Sequence, residues 1–187
     1  MTPRRVTVFC SSSGDIDPLY LRAAAELGAA IAGEGWQLVY GGNNLGAMGA
    51  LADGCRSAGG CVIGVTPQLF VDKGFTDHAC HELIVTPDMR SRKAKMEELG
   101  DAFVAMPGGF GTLEELSEIV VGRILKYHAK PVILYNVAGF FSPLVEFFEK
   151  MIQGNFAKPK LRMDYLVAPD VQSVIAHLKG QWGTTAT

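Results

Sequence analysis

A glycine-rich turn followed by two acids stands out near the middle of the chain, at residues 106–115 (MPGGFGTLEE). Glycine lets backbone N–H groups approach a ligand closely, and a helix N-terminus adds unpaired N–H donors with a partial positive charge. Both features suit a phosphate. A carboxylate just behind them, at Glu115, could orient sugar hydroxyls, hold a water molecule, or stabilise the cationic sugar that forms as a glycosidic bond breaks.

Glu115 also has a purely structural interpretation, which the spacing alone favours. The residues Thr112-Leu113-Glu114-Glu115 fit the S/T-x-x-E capping box, with Thr112 as the N-cap and Glu115 reaching back to the backbone N–H of Thr112. The two hypotheses differ for Glu115→Gln. Glutamine also fits a capping box, so the structural hypothesis predicts normal activity, whereas the catalytic hypothesis predicts a stable but inactive protein.

A second candidate is the basic segment at residues 88–96 (DMRSRKAKM). Asp88 is a suitable N-cap for a helix here, and Arg92 falls on the apolar stripe that Met89 and Met96 define. A buried arginine needs a partner, and its two-pronged donor group suits a phosphate or a carboxylate. Two alternatives are an Arg92 that extends along apolar surface to water and a basic patch for nucleic acid. The lack of interleaved aromatic residues disfavours the nucleic acid.

Short apolar runs alternate with helical stretches along the chain, and these elements must position the candidate residues. We expect strands at 6–10, 37–40, 61–66, 82–86, 102–106, 132–135 and 165–167, and helices at 19–32, 46–57, 88–99, 112–127, 140–152 and 170–179. Strands this apolar are typical of a parallel sheet that helices cover on both faces. The sequence therefore predicts an α/β fold: a single doubly wound, Rossmann-like domain over residues 1–180, with a mainly parallel sheet flanked by helices, and a flexible tail at 181–187.

Ligands in such sheets bind beyond the carboxyl ends of the strands, and three loops are expected there. They are residues 10–14 (CSSSG), residues 40–49 (YGGNNLGAMG) and the glycine turn. Neither glycine-rich loop has the spacing of a P-loop or of G-x-G-x-x-G. Sharp strand-to-helix turns would explain either loop alone, but two such loops on the ligand side of one sheet favour a binding site.

The composition narrows the classes of function. The chain has 187 residues, of which 48% are hydrophobic and 19% charged, with a net charge of −2. This balance is globular, it gives no reason to expect a nucleic-acid or membrane partner, and no apolar run is long enough to span a bilayer. The four cysteines form no CxxC pair, which fits a reducing cytoplasm. The closely spaced His78, Cys80 and His81 have poor spacing for a metal, so no metal site is predicted.

The same residues resemble a known family. The stretch PGGFGTLEE matches PGGxGTxxE, the signature of the LONELY GUY (LOG) family of cytokinin-activating phosphoribohydrolases. Residues 89–93 resemble the M-x-x-R-K segment of that family, residues 40–49 its YGGG-x-x-G-x-M-G loop, and residues 9–14 its FCGSS-G loop. The resemblance covers nearly the whole chain in order. A few residues around the expected ligand rim differ from the family pattern: Ser11, Asn43, Arg90, Ser91 and the pair Lys73-Gly74. These differences bear on which base is preferred more than on the reaction.

The resemblance implies an N-glycosyl hydrolase that needs no cofactor. Its substrates would be N6-modified adenosine 5′-monophosphates, and also AMP, and its products the free base and ribose 5-phosphate. Arg92 and Glu115 would be the catalytic pair. The substrate-binding residues that the resemblance implies are Gly42, Met89, Lys93, Gly108, Gly109, Phe110, Gly111, Thr112, Leu113 and Glu114. A homodimer, with its sites near the subunit contact, is also implied.

The sequence leaves two other functions open and gives no support to a third. One is a general AMP or purine-nucleotide hydrolase without a hormone role. Another is a non-catalytic nucleotide or cofactor carrier of the same fold, which would need the glycine loops but not the pair of Arg92 and Glu115. Lysine decarboxylase, an older label for relatives, finds no support, because no lysine is placed with the partners that a pyridoxal phosphate Schiff base needs.

Overall fold

Short apolar runs form the strands of one parallel sheet in the computed structural model, which describes residues 3–183. The order in the sheet is β4-β3-β2-β1-β5-β6-β7, and each neighbouring pair is parallel. The direction of winding therefore reverses at β1, between β2 and β5. The strands are β1 (Arg5–Phe9), β2 (Gln37–Tyr40), β3 (Val62–Pro67), β4 (Glu82–Thr86), β5 (Ala102–Ala105), β6 (Val132–Tyr135) and β7 (Leu166–Ala168).

Helices connect the strands and cover both faces of the sheet. Within the described range they are α1 (Pro18–Gly33), α2 (Gly46–Ser57), α3 (Gln68–Asp72), α4 (Met89–Leu99), α5 (Phe110–Ile124), α6 (Ser142–Gln153) and α7 (Val171–Gly183). Two short 3-10 turns, at Val137–Gly139 and Pro159–Met163, flank α6. None of the helices described is long and apolar enough to cross a membrane.

The central strands are apolar throughout because their alternating side chains enter two separate cores. Val6 and Val8 of β1 pack with α1, α2 and α7 on one face. Phe9 and, from β5, Phe103 pack with α4, α5 and α6 on the other face. Thr7 also faces α4, where its hydroxyl donates to the Met96 carbonyl at 3.0 Å. Both cores fix the helices that begin at the carboxyl edge of the sheet.

The predicted α/β fold, doubly wound and Rossmann-like, is confirmed, and the sheet is parallel throughout. Several helix ends differ from the prediction, and the largest differences are in α5 and α7. Helix α5 begins at Phe110 and ends at Ile124, because Lys126 beyond it takes a left-handed backbone conformation with φ of 65°. Helix α7 continues to Gly183, so residues 181–183 are helical and not part of a tail. The rest of the predicted tail, residues 184–187, lies outside the described residues. The five-residue α3 was not predicted, because so short a helix leaves no periodic pattern.

Helices α1 and α2 pack closely through their glycines. A Cβ added at Gly28 of α1 would clash with the carbonyl oxygen of Leu51 in α2, and a Cβ at Gly54 of α2 would clash with the carbonyl oxygen of Ala25. The two backbones are therefore in direct contact, and neither helix can accept a side chain at these positions without moving.

We predict that Gly28→Ala lowers the free energy of unfolding by about 1–3 kcal/mol, the usual cost of overpacking a core. The matched control is Gly33→Ala in the last turn of α1, where a Cβ meets no described atom within 4 Å. That change should be neutral or stabilising by up to about 1 kcal/mol, because alanine is the better helix former. Urea denaturation of both variants measures the difference, and equal stabilities would contradict this packing.

Candidate active site

Arg92 is buried by the position that the start of α4 gives it. Asp88 caps the helix as predicted, with its carboxylate accepting from the Ser91 N–H at 2.8 Å. Arg92 then faces the sheet with 3% of its surface exposed. Its Nε donates to the carbonyl oxygen of Val65 in β3 at 3.0 Å. A buried guanidinium with one fixed backbone partner still needs a negative charge.

Glu115 supplies that charge from α5. Its side chain is 5% exposed, and its Oε1 accepts from Arg92 Nη1 at 3.0 Å. The predicted partner for Arg92 therefore exists, and it is a carboxylate of the protein itself. The pair joins α4 to α5 across the face of the sheet.

The capping-box hypothesis for Glu115 is wrong. The N-cap of α5 is Gly109, so Thr112 lies inside the first turn and is 4% exposed. Gly108 packs so closely on the Thr112 side chain that a Cβ there would clash with it. Glu115 bonds to Arg92 instead of reaching back along its own helix.

The loop after β2 makes room for the guanidinium. A Cβ added at Gly41 would clash with Arg92 Nη2, so a glycine is needed where this loop passes the arginine. Gly42, which we expected to bind substrate, has a φ of 70° and uses its carbonyl to accept from the Asp77 N–H at 2.8 Å. It lies outside the set of described residues that line the cleft below, and it shapes the loop.

A buried polar network holds this loop in place. Tyr40 donates its hydroxyl to Asp77 Oδ2 at 2.6 Å, and Arg56 Nη1 donates to the same oxygen at 2.7 Å. Burial opposes ionisation of Asp77, but the hydrogen bonds from Tyr40 and Arg56 hold the pKa of its carboxyl below the usual range. The Asp77 backbone in turn fixes Gly42, and with it Gly41 against Arg92.

The histidine and cysteine cluster near Asp77 has structural contacts. Cys80 Sγ lies 3.3 Å from the Tyr40 hydroxyl, and the Val62 N–H donates to His81 Nδ1 at 3.2 Å. Across residues 3–183, no three histidine, cysteine, aspartate or glutamate side chains are grouped as a metal site requires. Cys80 and His81 therefore join the segment before β4 to β2 and β3.

A cleft of about 360 Å3 opens beside the ion pair, and we call it the Arg92–Glu115 cleft. It gathers side chains and turns that follow five different strands at the carboxyl edge of the sheet. Its lining residues are Cys10, Ser11, Ser12, Ser13, Met48, Phe70, Met89, Arg92, Lys93, Gly109, Gly111, Thr112, Glu114 and Glu115. The edge predicted from the topology is therefore where the candidate catalytic pair and most of the predicted binding residues meet.

The glycine turn separates this cleft from a second one. Gly109 and Thr112 line both, whereas Gly108, Phe110 and Leu113 line only the second. That second cleft has a volume of about 340 Å3, and we call it the apolar cleft. Its remaining lining residues are Phe140, Phe141, Pro143 and Leu144. The predicted binding residues are thus divided between the two clefts.

Burial and neighbouring charges shift the pKa values of the ionisable groups in the Arg92–Glu115 cleft. Burial raises the pKa of the Glu115 carboxyl above its ordinary value, and the Arg92 guanidinium opposes that rise. Burial also raises the pKa of the Cys10 thiol, and the nearby Glu115 charge adds to the effect, so Cys10 stays a neutral thiol. Lys93 forms ion pairs with Glu114 at 2.7 Å and Glu118 at 2.9 Å, and these carboxylates raise its pKa.

The start of α5 offers backbone donors to the cleft. Among the described residues, no side chain caps this helix, so the first-turn N–H groups lack the partner that a capping side chain would give. Gly109 and Gly111 are both exposed at this end. Unpaired N–H groups and the positive end of the helix dipole together attract an anion, and a phosphate fits best.

Comparison with known proteins agrees with this geometry. A family model described as "possible lysine decarboxylase" matches residues 48–178. A probable cytokinin riboside 5′-monophosphate phosphoribohydrolase of Oryza sativa subsp. japonica is 43% identical over 176 residues, which cover 94% of this chain and 78% of that protein. A cytokinin riboside 5′-monophosphate phosphoribohydrolase of Rhodococcoides fascians is 40% identical over 179 residues, which cover 95% of this chain and 90% of that protein. The chain belongs to the LOG family.

Solved structures with the same fold include proteins outside the LOG family's enzymes. The structure of the molybdenum cofactor carrier protein of Chlamydomonas reinhardtii has a TM-score of 0.75 at 28% identity, over 97% of this chain and 99% of that one. A LOG protein and a cofactor carrier therefore share one backbone architecture. The distinction between them must come from the side chains of the site.

The sequence indicated most of the cleft of this LOG protein, but not all of it. Cys10, the three following serines and Met48 lie in loops that the topology had singled out. Phe70 was missed, since α3 has no periodic signal. Its position directly after the third strand, at the ligand edge of the sheet, was the signal that could have identified it.

We predict that Arg92→Met lowers the free energy of unfolding by about 3–5 kcal/mol at neutral pH, because it leaves the Glu115 charge buried and unpaired. In this variant the folded-state pKa of Glu115 rises further above the unfolded value. The deficit is therefore present at neutral pH, shrinks as the pH falls, and is lost below 4.5, the ordinary pKa of a glutamate, where the carboxyl becomes neutral in both states.

The double variant Arg92→Met/Glu115→Leu should recover most of this stability, because no charge is then buried. The control is Lys95→Met on the same helix, whose partly exposed ion pair with Glu98 contributes at most about 1 kcal/mol. Urea denaturation between pH 4.5 and 7.5 measures all three variants. A deficit for Arg92→Met that does not depend on pH would contradict the assignment.

Proposed function

We propose that this protein hydrolyses the N-glycosidic bond of N6-modified adenosine 5′-monophosphates, and of AMP, to release the free base and ribose 5-phosphate. The observation that carries the proposal is the buried pair of Arg92 and Glu115, 3.0 Å apart, in a cleft that also contains the uncapped start of α5. The names of the relatives at 40% and 43% identity support the same reaction.

The 5′-phosphate would bind at the glycine turn. Gly109, Gly111 and Thr112 line the Arg92–Glu115 cleft at the N-terminus of α5, where backbone N–H groups and the helix dipole favour an anion. Glycines at these positions let the phosphate oxygens reach the backbone. The sugar of a nucleotide anchored there would extend towards Glu115, which lies in the second turn of the same helix.

Glu115 would stabilise the sugar as the bond to the base breaks. Hydrolysis of an N-glycosidic bond passes through an oxocarbenium-like state with positive charge on the ribose, and a carboxylate beside that charge lowers its energy. The same carboxylate could position the water that attacks the anomeric carbon. Arg92 is held by Val65 and by the closeness of Gly41, so its role is to keep Glu115 ionised and oriented.

The other functions find less support in this cleft. A carrier has no need of a buried arginine–glutamate pair beside its ligand. A lysine decarboxylase would need a lysine free to form a Schiff base, but Lys93, the lysine that lines the cleft, is paired with two carboxylates. The paired Lys93 instead supports the cleft wall by joining α4 to α5.

The decisive assay incubates the protein with AMP and with N6-isopentenyl-AMP and measures free base and ribose 5-phosphate. We expect release from both substrates by the native protein. Glu115→Gln keeps an oxygen that can accept from Arg92 but leaves the arginine charge unpaired, so it should remain folded with a lower free energy of unfolding. It should also lose at least about 100-fold in kcat, since the amide cannot stabilise the developing charge. The matched control is Glu98→Gln on α4, which removes an exposed carboxylate outside the cleft and should retain full activity. No release by the native protein from either substrate would contradict the proposal.

We further propose that the protein is a homodimer formed through the exposed face of α5. Phe110, Leu113, Val121 and Ile124 recur at helical spacing on this face, and each is at least 37% exposed. An exposed apolar stripe of this kind, here interrupted by Ser117, often marks a protein contact. The stripe also begins at the glycine turn, so a second copy placed there would lie next to both clefts.

Size-exclusion chromatography with light scattering tests the dimer. The native protein should have twice the 20.1 kDa mass of one chain, and Val121→Glu should shift it towards the monomer, since a charge would then be buried in the contact. The control Val85→Glu, on the edge strand β4, places the same charge at a comparably exposed position away from α5. A native protein that is monomeric at all concentrations would contradict the proposal.

The free thiols support a reducing compartment, and we propose the cytoplasm. All four cysteines, Cys10, Cys55, Cys61 and Cys80, are free. Burial raises the pKa of Cys55 to about 11, which keeps it protonated and unreactive.

A further inference from the structure

We propose that Phe70 on α3 is the residue that contacts the N6 substituent and so determines which bases the cleft accepts. This inference rests on the proposed function, because it assigns the base end of the same substrate. The catalytic and phosphate-binding roles proposed above do not involve Phe70. The argument for it comes from the position of α3 in the fold and from the chemistry of its neighbours.

The order of the strands gives the cleft a polar end and an apolar end. The glycine turn follows β5, and α3 follows β3, with β1 and β2 between them. Three strand spacings correspond to about 14 Å. Arg92 and Glu115 meet over the strands between these two ends. A nucleotide with its phosphate at the glycine turn and its glycosidic bond at Glu115 therefore points its base towards α3.

The side chains at that end are suited to an apolar group. Met48, Phe70 and Met89 line the cleft there, and they come from α2, α3 and α4. Thioether and phenyl groups adapt to the faces of an aromatic base and to an alkyl substituent. Of these three, Phe70 is the aromatic one and lies on the shortest helix.

The side chains of α3 can be substituted without disturbing the packing of the core. All five of its residues are partly or fully exposed, and neighbouring Leu69 is 53% exposed. The segment is fixed at both ends, by the pairing of Pro67 with Thr86 and by the Asp77 N–H bond to the Gly42 carbonyl. Phe70 is thus held at a defined place in the cleft wall by a segment that contributes little to stability.

The apolar cleft is the other place where an alkyl substituent could lie. Its lining residues in the described structure include neither Arg92 nor Glu115, so a base bound there would leave its glycosidic bond away from the pair. The same cleft adjoins the α5 stripe proposed for the dimer contact. The position of the catalytic pair therefore favours Phe70 over residues such as Phe140.

The test compares kcat/KM for N6-isopentenyl-AMP with kcat/KM for AMP in the native protein, Phe70→Ala, Phe70→Leu, Leu69→Ala and Phe140→Ala. We expect Phe70→Ala to lower this ratio about tenfold, mainly through KM, because only the substituted base loses the full contact. Phe70→Leu should retain most of the ratio. The matched control Leu69→Ala, on the same helix but outside the cleft lining, should leave it unchanged.

The same comparison is made by calorimetry in the Glu115→Gln background, where dissociation constants are measured without turnover. We expect the ratio of the two constants to change with Phe70→Ala as the ratio of kcat/KM does. Equal losses for both nucleotides, an equal effect of Leu69→Ala, or a ratio that responds only to Phe140→Ala would overturn the inference. Failure of the proposed function has a different result, which is no base release by the native protein, and the dissociation constants then still decide the role of Phe70.

Discussion

The buried ion pair of Arg92 and Glu115 is the constraint around which the carboxyl edge of the sheet is arranged. A buried charge pair is stable only when its remaining donors and acceptors also find partners, and here Val65 supplies a carbonyl to the guanidinium. The guanidinium also needs space, and Gly41 provides it because a side chain there would clash with Arg92. The loop that contains Gly41 is held in place by the hydrogen bonds from Tyr40 and Arg56 to Asp77. Segments in or next to four strands therefore help to position these two side chains.

One fold supports both enzymes and carriers, so the backbone alone does not define the activity. In this chain a carboxylate is held in a buried position next to a helix start whose backbone donors favour an anion. The energy for holding it there comes from Arg92 and from the packing of both helices on the sheet. Because the charge is positioned before any ligand binds, little reorganisation is needed when positive charge develops on a sugar.

Patterns of apolar residues were sufficient to predict the sheet. Strands buried on both faces, such as β1, β2 and β5, have almost continuous runs of apolar residues. The inward position of Arg92 followed from the stripe of Met89 and Met96. A partner for it could then be predicted, because an unpaired buried charge is costly. The spacing was misleading at Thr112, because the sequence fits a capping box but α5 begins at Phe110 with Gly109 as its N-cap. The sequence could not separate the two possible roles of Gly42, because glycines that bind a ligand and glycines that permit a positive φ look the same in a sequence. Phe70 could be found only from the topology, since tertiary position, and not local pattern, brings α3 to the cleft.

The central place of β1 in the sheet has a consequence for how the chain reaches this structure. Its two neighbours are β2, which follows soon after, and β5, which is distant, as the bond from the Arg5 N–H to Asp101 across 96 residues illustrates. During synthesis at the usual rates, β1 waits about 5–20 s for its second partner to emerge. An apolar strand with one open edge is a site for pairing between chains until its second partner binds. The arrangement that brings a remote carboxylate to Arg92 therefore also leaves one edge of β1 unpaired until β5 has emerged.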